Sequence, residues 1–440
     1  MCYTSIKRCG IICLILCLLL PLAAGCDGQK AGGQSNELRI AITGDSFSDL
    51  FLESFNPLYA ESAEEQAASS LIAPTIMRYE EGKGWVSVLG TITSEEKDGK
   101  TVATVKLKKG LRYSSGRQVG MDDYLRTVKF ILRTNYTGYY KDFYTYPIEG
   151  LVACRYNCAG LTLADLPDFD ALLSERFKEV EGEDATAAKK AYMALLQETK
   201  IFGTFNGNPE SFSPDGRSFK EVILQDSKTP IEEDYFSIKD GLEKTMLEDL
   251  CKIYSNKSRS EWMIKSLKNY ILTELQEAFA EECMAKNQYV NGAISGMRIT
   301  DNSYYATTMK VTFDRIIEDE NDVIRMLNLP MMQSVSSSSD SVVGVGSYAY
   351  KSFFEGRRGK MAELESTEGG RTLYLLTMAE KDVYATLHMG QLSAAAIQGE
   401  VNEELVAKYG LSVLKVGDDA VLYLPDRISK DELALLKLLV

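Results

Sequence analysis

An apolar run from Ile11 to Leu22, with Lys7 and Arg8 before it and Ala23-Ala24-Gly25 after it, decides where this chain folds and which residues take part. About twelve apolar residues are too few to span a bilayer. A positive start, a short apolar core and small residues ahead of a cut site instead make an export signal. The folded body is therefore expected to begin after residue 25 and to form outside the cytoplasm. Cys2, Cys9, Cys13, Cys17 and Cys26 belong to this opening stretch, which leaves Cys154, Cys158, Cys251 and Cys283 for the body. Disulfides are permitted in that compartment, but sequence alone does not pair these cysteines. Cys154 and Cys158 lack partner ligands at zinc spacing.

The junction Leu22-Ala23-Ala24-Gly25-Cys26 resembles a bacterial lipobox, in which the cysteine thiol takes a diacylglycerol and becomes the new N-terminus. An ordinary signal peptide and a true membrane anchor are the other readings. The lipobox makes Cys26 the expected lipid attachment site and residues 26–36, polar and rich in Gly, Gln and Ser, a flexible tether. Loss of Lys7 and Arg8 with residues 1–25 takes the formal charge from −14 to −16. An acidic body of this kind stays solvated beside an anionic membrane, and it lacks the Lys and Arg excess that phosphate-backbone binding needs, so no nucleic-acid partner is expected. The chain has one histidine, His388, which excludes a metal site built on two imidazoles and disfavours a His-dependent triad. No catalytic residue, metal or cofactor is nominated, and an enzyme is not expected.

Along the body, Leu38, Ile40 and Ile42 alternate with polar neighbours and predict a strand. It runs into a loop at Gly44-Asp45-Ser46-Phe47-Ser48, and Phe55-Asn56-Pro57 forms a second break. A helix is predicted from Glu64 to Ile76, interrupted near Pro74, then a turn at Gly82-Lys83-Gly84-Trp85. Ala103, Val105 and Leu107 mark a strand over 101–108. Met121, Tyr124, Leu125, Val128, Ile131 and Leu132 recur at spacings of three and four and predict a helix. Asp122 and Asp123 look like a metal or acid/base pair, but negative charge in a first helical turn is the better account. Gly344-x-Gly346 lacks the strand-to-helix setting of a dinucleotide fingerprint. The aromatics Tyr136, Tyr139, Tyr140, Phe143, Tyr144 and Tyr146 read either as a loop packed on the body or as a surface for sugars and peptide side chains.

The order strand, Gly-Asp-Ser loop, Asn-Pro, helix, "GKGW" turn and "ATVKLKKGLRYSSGRQVGMDDYLRTVKFIL" resembles the opening of the family 5 extracellular solute-binding proteins, the receptors of peptide-type ABC importers. Tyr113, Ser114, Ser115, Gly116 and Met121-Asp122-Asp123 fit its pattern, with Ser115 in place of the usual Asp and Gly120 in place of the usual capping Thr. Residues 294–332 resemble the family's paired strands and short helix under a Leu-Pro, and "VVGVGSYAYKSFF" (342–354) its Pro-Val-Gly-Thr-Gly-Pro-Tyr segment without the prolines. "KDVYATLHMGQLSAAAI" resembles its helix, turn and strand, with Gln391 and Ser393 replacing acids.

The resemblance implies an α/β, periplasmic-binding-protein-like lobe of the type II, peptide-binding class, with a mixed sheet. It implies a first part of the lobe at 37–150, a mainly helical insertion at 151–292, the lobe's continuation at 293–425 and an incomplete C-terminal helix at 426–440. Family members continue into a second lobe and return, so the second lobe is expected to be incomplete here. In the family the loop after the first strand contributes to the ligand cleft, which makes Gly44, Asp45, Ser46 and Phe47 the candidate ligand-binding residues. Asp45 could pair with a peptide α-amino group or stabilise a turn. The implied partners are a peptide or oligosaccharide ligand, ABC permease subunits and the membrane through lipid on Cys26. The implied place is the cell envelope, on the outer face of the cytoplasmic membrane. A surface-anchored structural or interaction lipoprotein, without ligand binding of its own, is the alternative.

Overall fold

The computed structural model describes residues 36–178, 257–286, 289–333 and 341–433, apart from 44–46, 81, 357–358, 398, 417–418, 425–427 and 431. Cys26, Cys251, residues 26–35 of the tether and residues 179–256 of the expected helical insertion lie outside the described residues.

The central strand is the one that the alternation of Leu38, Ile40 and Ile42 predicts. It spans Glu37–Ile42 (β1) and sits inside a seven-stranded mixed sheet. The other members are Tyr348–Gly356 (β8), Gly359–Ser366 (β9), Thr372–Thr377 (β10), Ala394–Ile397 (β11), Ser412–Val416 (β12) and Asp419–Tyr423 (β13). The spatial order is β12-β13-β11-β1-β10-β9-β8. β1 runs parallel to both neighbours, with Leu38 opposite Leu373 and Ile40 opposite Leu375 on one side and Ala394 on the other. The outer pairings are antiparallel.

Both faces of the sheet centre are covered, which is why the end of β1, Ile40–Ala41–Ile42, and all of β11 are apolar and buried. Leu38, Ile40, Ile42, Leu373, Leu375, Ala394 and Ala396 enter the main core. Ala41, Ala395, Ile397 and Leu422 face the opposite way, against Glu380–His388 (α8) and Glu403–Tyr409 (α9), which contribute Val383, Tyr384, Leu387 and Val406. Burying one such aliphatic side chain stabilises the fold by roughly 1.5–3 kcal/mol. α9 ends at Gly410 in the left-handed conformation, a C-terminal stop that glycine adopts without a steric cost.

A second, antiparallel sheet has the order β4-β5-β7-β6, where β4 is Gly90–Lys97, β5 Lys100–Leu107, β6 Met297–Ile299 and β7 Thr308–Thr312. Its core face carries Ala103, Val105 and Leu107, as their alternation predicts. The "GKGW" turn joins a separate hairpin of Met77–Glu80 (β2) and Gly84–Ser87 (β3). The predicted helix at 121–132 is Met121–Ile131 (α3), with Met121, Tyr124, Val128 and Ile131 buried. A short helix, Glu320–Leu327 (α7), precedes Leu329-Pro330 and buries Val323, Ile324 and Leu327.

The helix predicted from Glu64 to Ile76 is shorter. Ala63–Ser69 (α2) follows the short helix Asp49–Ser54 (α1) and stops well before Pro74. Ser69 and Ser70 turn their hydroxyls back onto the carbonyls of Gln66 and Ala67, the local competition that makes serine a poor helix-interior residue. The carbonyls of Leu71 and Ile72 are then taken by Tyr348 and Gly346.

Beyond α3, Leu151–Arg155 (α4), Phe169–Phe177 (α5) and the long Lys257–Lys286 (α6) form a satellite core of Val152, Tyr156, Cys158, Phe169 and Ala280, with Leu272, Leu275, Phe279 and Cys283 packed on it. Arg155 links it to the main body. Its buried guanidinium donates to the carbonyl of Arg133 at 2.9 Å, past the C-terminus of α3, and to Gln276 Oε1 of α6 at 2.5 Å, and lies over the Tyr144 ring.

Candidate functional site

Open α/β sheets bind ligands at the carboxyl ends of their parallel strands. In this sheet β1, β10 and β11 end together, and the loop that follows β1 is held at both ends. At its start, the Thr43 amide donates to Ala396 O at 3.0 Å, and the Thr43 hydroxyl donates to the same oxygen at 3.3 Å. The Met378 amide closes the other side by donating to Ile42 O at 3.0 Å.

At the far end, Glu65 of α2 is the clamp. Its carboxylate is buried, with one oxygen accepting the Ser48 amide at 2.6 Å and the other accepting the Glu61 amide at 2.5 Å. Charge-assisted hydrogen bonds to backbone N–H offset the cost of burying that carboxylate. Ser48 in turn caps α1 by accepting the Phe51 amide, and Ser62 caps α2 by accepting the amide of Glu65. Phe55 then ends α1 at φ 50, a left-handed conformation that is uncommon for a bulky residue.

Of the four candidate ligand residues, Gly44, Asp45 and Ser46 lie outside the described residues. Phe47 is buried, its ring 5.7 Å from that of Phe51, which continues through Phe55 to Tyr350. Its side chain anchors the loop to the core. Thr43, Ser48 and Glu65 complete the loop's frame; in sequence Ser48 stands only as the loop's last residue, and neither Thr43 nor Glu65 reads as part of it. The Ser62-x-x-Glu65 spacing signals a helix start, but nothing in it shows that the carboxylate reaches Ser48.

A second feature is the seam on which the family-like segments meet. Tyr113 donates its hydroxyl to Met332 O at 3.1 Å, the Ser114 amide donates to Gly344 O at 3.0 Å, and the Ser115 hydroxyl pairs with Gln333. The Met121 amide donates to Ala306 O at 2.7 Å. Burial pushes the Tyr113 phenol up to about 12, against the opposing charge of Arg117, whose guanidinium lies 5.1 Å from the ring centroid. Asp123 is buried. It accepts the Gly120 amide at 3.1 Å and pairs with Arg117 and Arg126, so it starts the helix and holds the turn before it.

Gly344 and Gly346 also acquire a reason here. A β-carbon on Gly344 would stand 1.9 Å from Ile72 O, and one on Gly346 2.0 Å from Leu71 O. These glycines let two backbones touch, and they do not open onto a phosphate site. Among the aromatics at 136–146, Tyr136 and Phe143 are buried and Tyr140, Tyr144 and Tyr146 pack on the core, while Tyr139 is exposed. His388 is exposed, with its Nδ1 3.2 Å from Tyr409 O. Among the described residues no helix is long and apolar enough to cross a membrane, and no group of three acidic, Cys or His side chains is placed to hold a metal ion.

No family model and no curated protein matches the chain. Solved structures do. Lactococcal OppA, complexed with an endogenous peptide in a closed conformation, is 11% identical over 87% of this chain and 49% of that one, with a TM-score of 0.45. The ABC transporter substrate-binding protein CtaP of Listeria monocytogenes is 12% identical over 88% and 49%, at 0.41. MppA, a periplasmic murein tripeptide binding protein in an unliganded open form, is 9% identical over 87% and 50%, at 0.42. This chain's mixed α/β fold is similar to theirs. It spans about half the length of each.

Proposed function

We propose that this chain is the ligand-capturing lipoprotein of a peptide-type ABC importer, held by lipid on Cys26 at the outer face of the cytoplasmic membrane and delivering peptides to a membrane permease. The observation that carries this reading is the seam. Segments that resemble the solute-binding family at 113–123, 306, 332 and 344–346 are far apart in sequence, yet they hydrogen-bond to one another in one body. A chance match of short motifs gives no reason for such convergence. The clamped loop after β1 adds support, because rigidly held loop ends at the carboxyl edge of parallel strands are what a receptor needs to keep a binding surface organised. Peptides are favoured over oligosaccharides because most of the 136–146 aromatics are occupied by packing.

The test is calorimetry of the purified protein against pools of short peptides and, separately, oligosaccharides, alongside native mass spectrometry for ligands carried through purification. Heat with peptides alone supports the proposal. Heat with neither, together with pull-downs that recover envelope proteins but no permease, gives the interaction-lipoprotein reading. Incorporation of labelled palmitate that Cys26→Ala abolishes checks the anchor.

A further inference from the structure

Two body cysteines that sequence spacing left unassigned come together across the satellite core. One face of α6 presents Gln276, Phe279, Ala280 and Cys283, residues spaced so that they share a stripe. This stripe lies along the segment that leaves α4. Arg155 donates to Gln276 at 2.5 Å, the Tyr156 ring meets that of Phe279 at 5.3 Å between centroids, and Asn157 Nδ2 lies 3.6 Å from Met284 Sδ. Those contacts bring residues 155–157 against 276–284 of α6, and Cys158 follows directly on the first segment while Cys283 lies within the second. Cys158 is buried in the satellite core and Cys283 packs against that core, both as thiols in this structure. Cys154, one turn earlier, packs instead against the main core.

We propose that Cys158 and Cys283 form a disulfide in the exported protein, fastening α6 to the turn after α4 and closing residues 159–282 into a loop. Only the availability of an oxidant rests on the export reading. The reaction is thiol–disulfide exchange. One cysteine attacks the disulfide of an oxidised dithiol or glutathione disulfide, forming a mixed disulfide and releasing one thiol. The second cysteine, as thiolate, displaces the remaining oxidant thiol, so two electrons and two protons pass from the pair to the oxidant.

Burial, followed by the neighbouring Cys158 thiol, raises the Cys283 thiol above its ordinary range. The thiolate is therefore scarce in the folded chain, and exchange is slow once the helices have packed. The bond is made during folding and then protected, which is the behaviour of a structural staple and not of a redox catalyst.

Trypsin separates the four body cysteines. Cys158 falls in peptide 156–176, Cys283 in 269–286, Cys154 in 142–155 and Cys251 in 245–252. The full chain, purified in detergent under reducing conditions, is unfolded in urea, refolded in a glutathione redox buffer, alkylated and digested without reductant. The expected product is peptide 156–176 joined to 269–286, with both missing their alkylation adducts and separating on reduction. Cys283→Ser should return the adduct to 156–176. Full alkylation of both peptides in refolded protein overturns the proposal, as does either one joined instead to 142–155 or 245–252. A chain that forms the expected pair in glutathione but fractionates with the cytoplasm keeps the staple and sinks the export reading instead.

Discussion

Gly346→Ala is expected to be among the most damaging methyl additions in this protein. The new β-carbon would lie 2.0 Å from Leu71 O, 2.5 Å from Leu71 C and 2.7 Å from Ile72 O, all main-chain atoms that cannot rotate away. Relief needs a shift of more than an ångström. That shift breaks the hydrogen bonds from the Gly346 amide to Ile72 O, 2.7 Å, and from the Tyr348 amide to Leu71 O, 3.0 Å. Each contributes about 0.5–1.5 kcal/mol net. Steric insertion into a packed region adds about 1–3 kcal/mol. The combined loss is about 2–6 kcal/mol, and Gly344→Ala should behave alike, because its β-carbon would meet Ile72 O at 1.9 Å. Urea unfolding followed by circular dichroism measures the effect, with Val345→Ala as the comparison. Gly346→Ala costing no more than Val345→Ala would refute the close-approach account and reopen a ligand-facing role for the glycine pair.

Glu65→Gln should cost about 1–3 kcal/mol, because the amide can accept only one of the two backbone N–H groups and leaves the other buried and unmatched. Faster amide exchange at Ser48 or Glu61 checks it, and unchanged protection at both counts against the clamp. Arg155→Lys is expected to lose about 3–5 kcal/mol, since one ammonium cannot reach both the Arg133 carbonyl and Gln276. A variant as stable as the parent would show that the guanidinium fork is not needed. At high pH the sign follows from the tyrosines: burial raises Tyr113 to about 12, and raises Tyr124 and Tyr136 as well. Their stabilisation is complete below the unfolded value of about 10 and is lost as pH climbs through the folded ones. Absorbance at 295 nm in the folded protein should therefore show tyrosines titrating late, and uniform titration near pH 10 would contradict their burial.

What the sequence made legible was whatever repeats with a period. Leu38-x-Ile40-x-Ile42 and Ala103-x-Val105-x-Leu107 announce strands because one face of each meets a core. The Met121 to Leu132 spacing announces a helix for the same reason. The length of α2 was not legible, because it is ended partly by distant partners, the amides of Gly346 and Tyr348, which claim the Leu71 and Ile72 carbonyls. The candidate site was legible only as a place. The loop after β1 could be located from its Gly-Asp-Ser break, whereas the carboxylate that fixes it comes from another helix. Phe47 could be noticed as a loop aromatic, but only packing against Phe51 turns it inward. Likewise, nothing between Cys158 and Cys283 in the chain gives their meeting away.

The pairing of β1 has a consequence for the order of events in the cell. Glu37 finds its parallel partner only at Thr372, and Ile40 its other neighbour only at Ala394. The strand made first is therefore completed last, and the central ladder cannot nucleate on a nascent chain that has not yet reached those residues. Long-range parallel pairing is intrinsically slow, because the loop must close before any contact stabilises it. For a polypeptide that is threaded across a membrane before it folds, that delay is useful. Under the export proposed above, this topology keeps β1 uncommitted until residues 372–397 are available to pair with it.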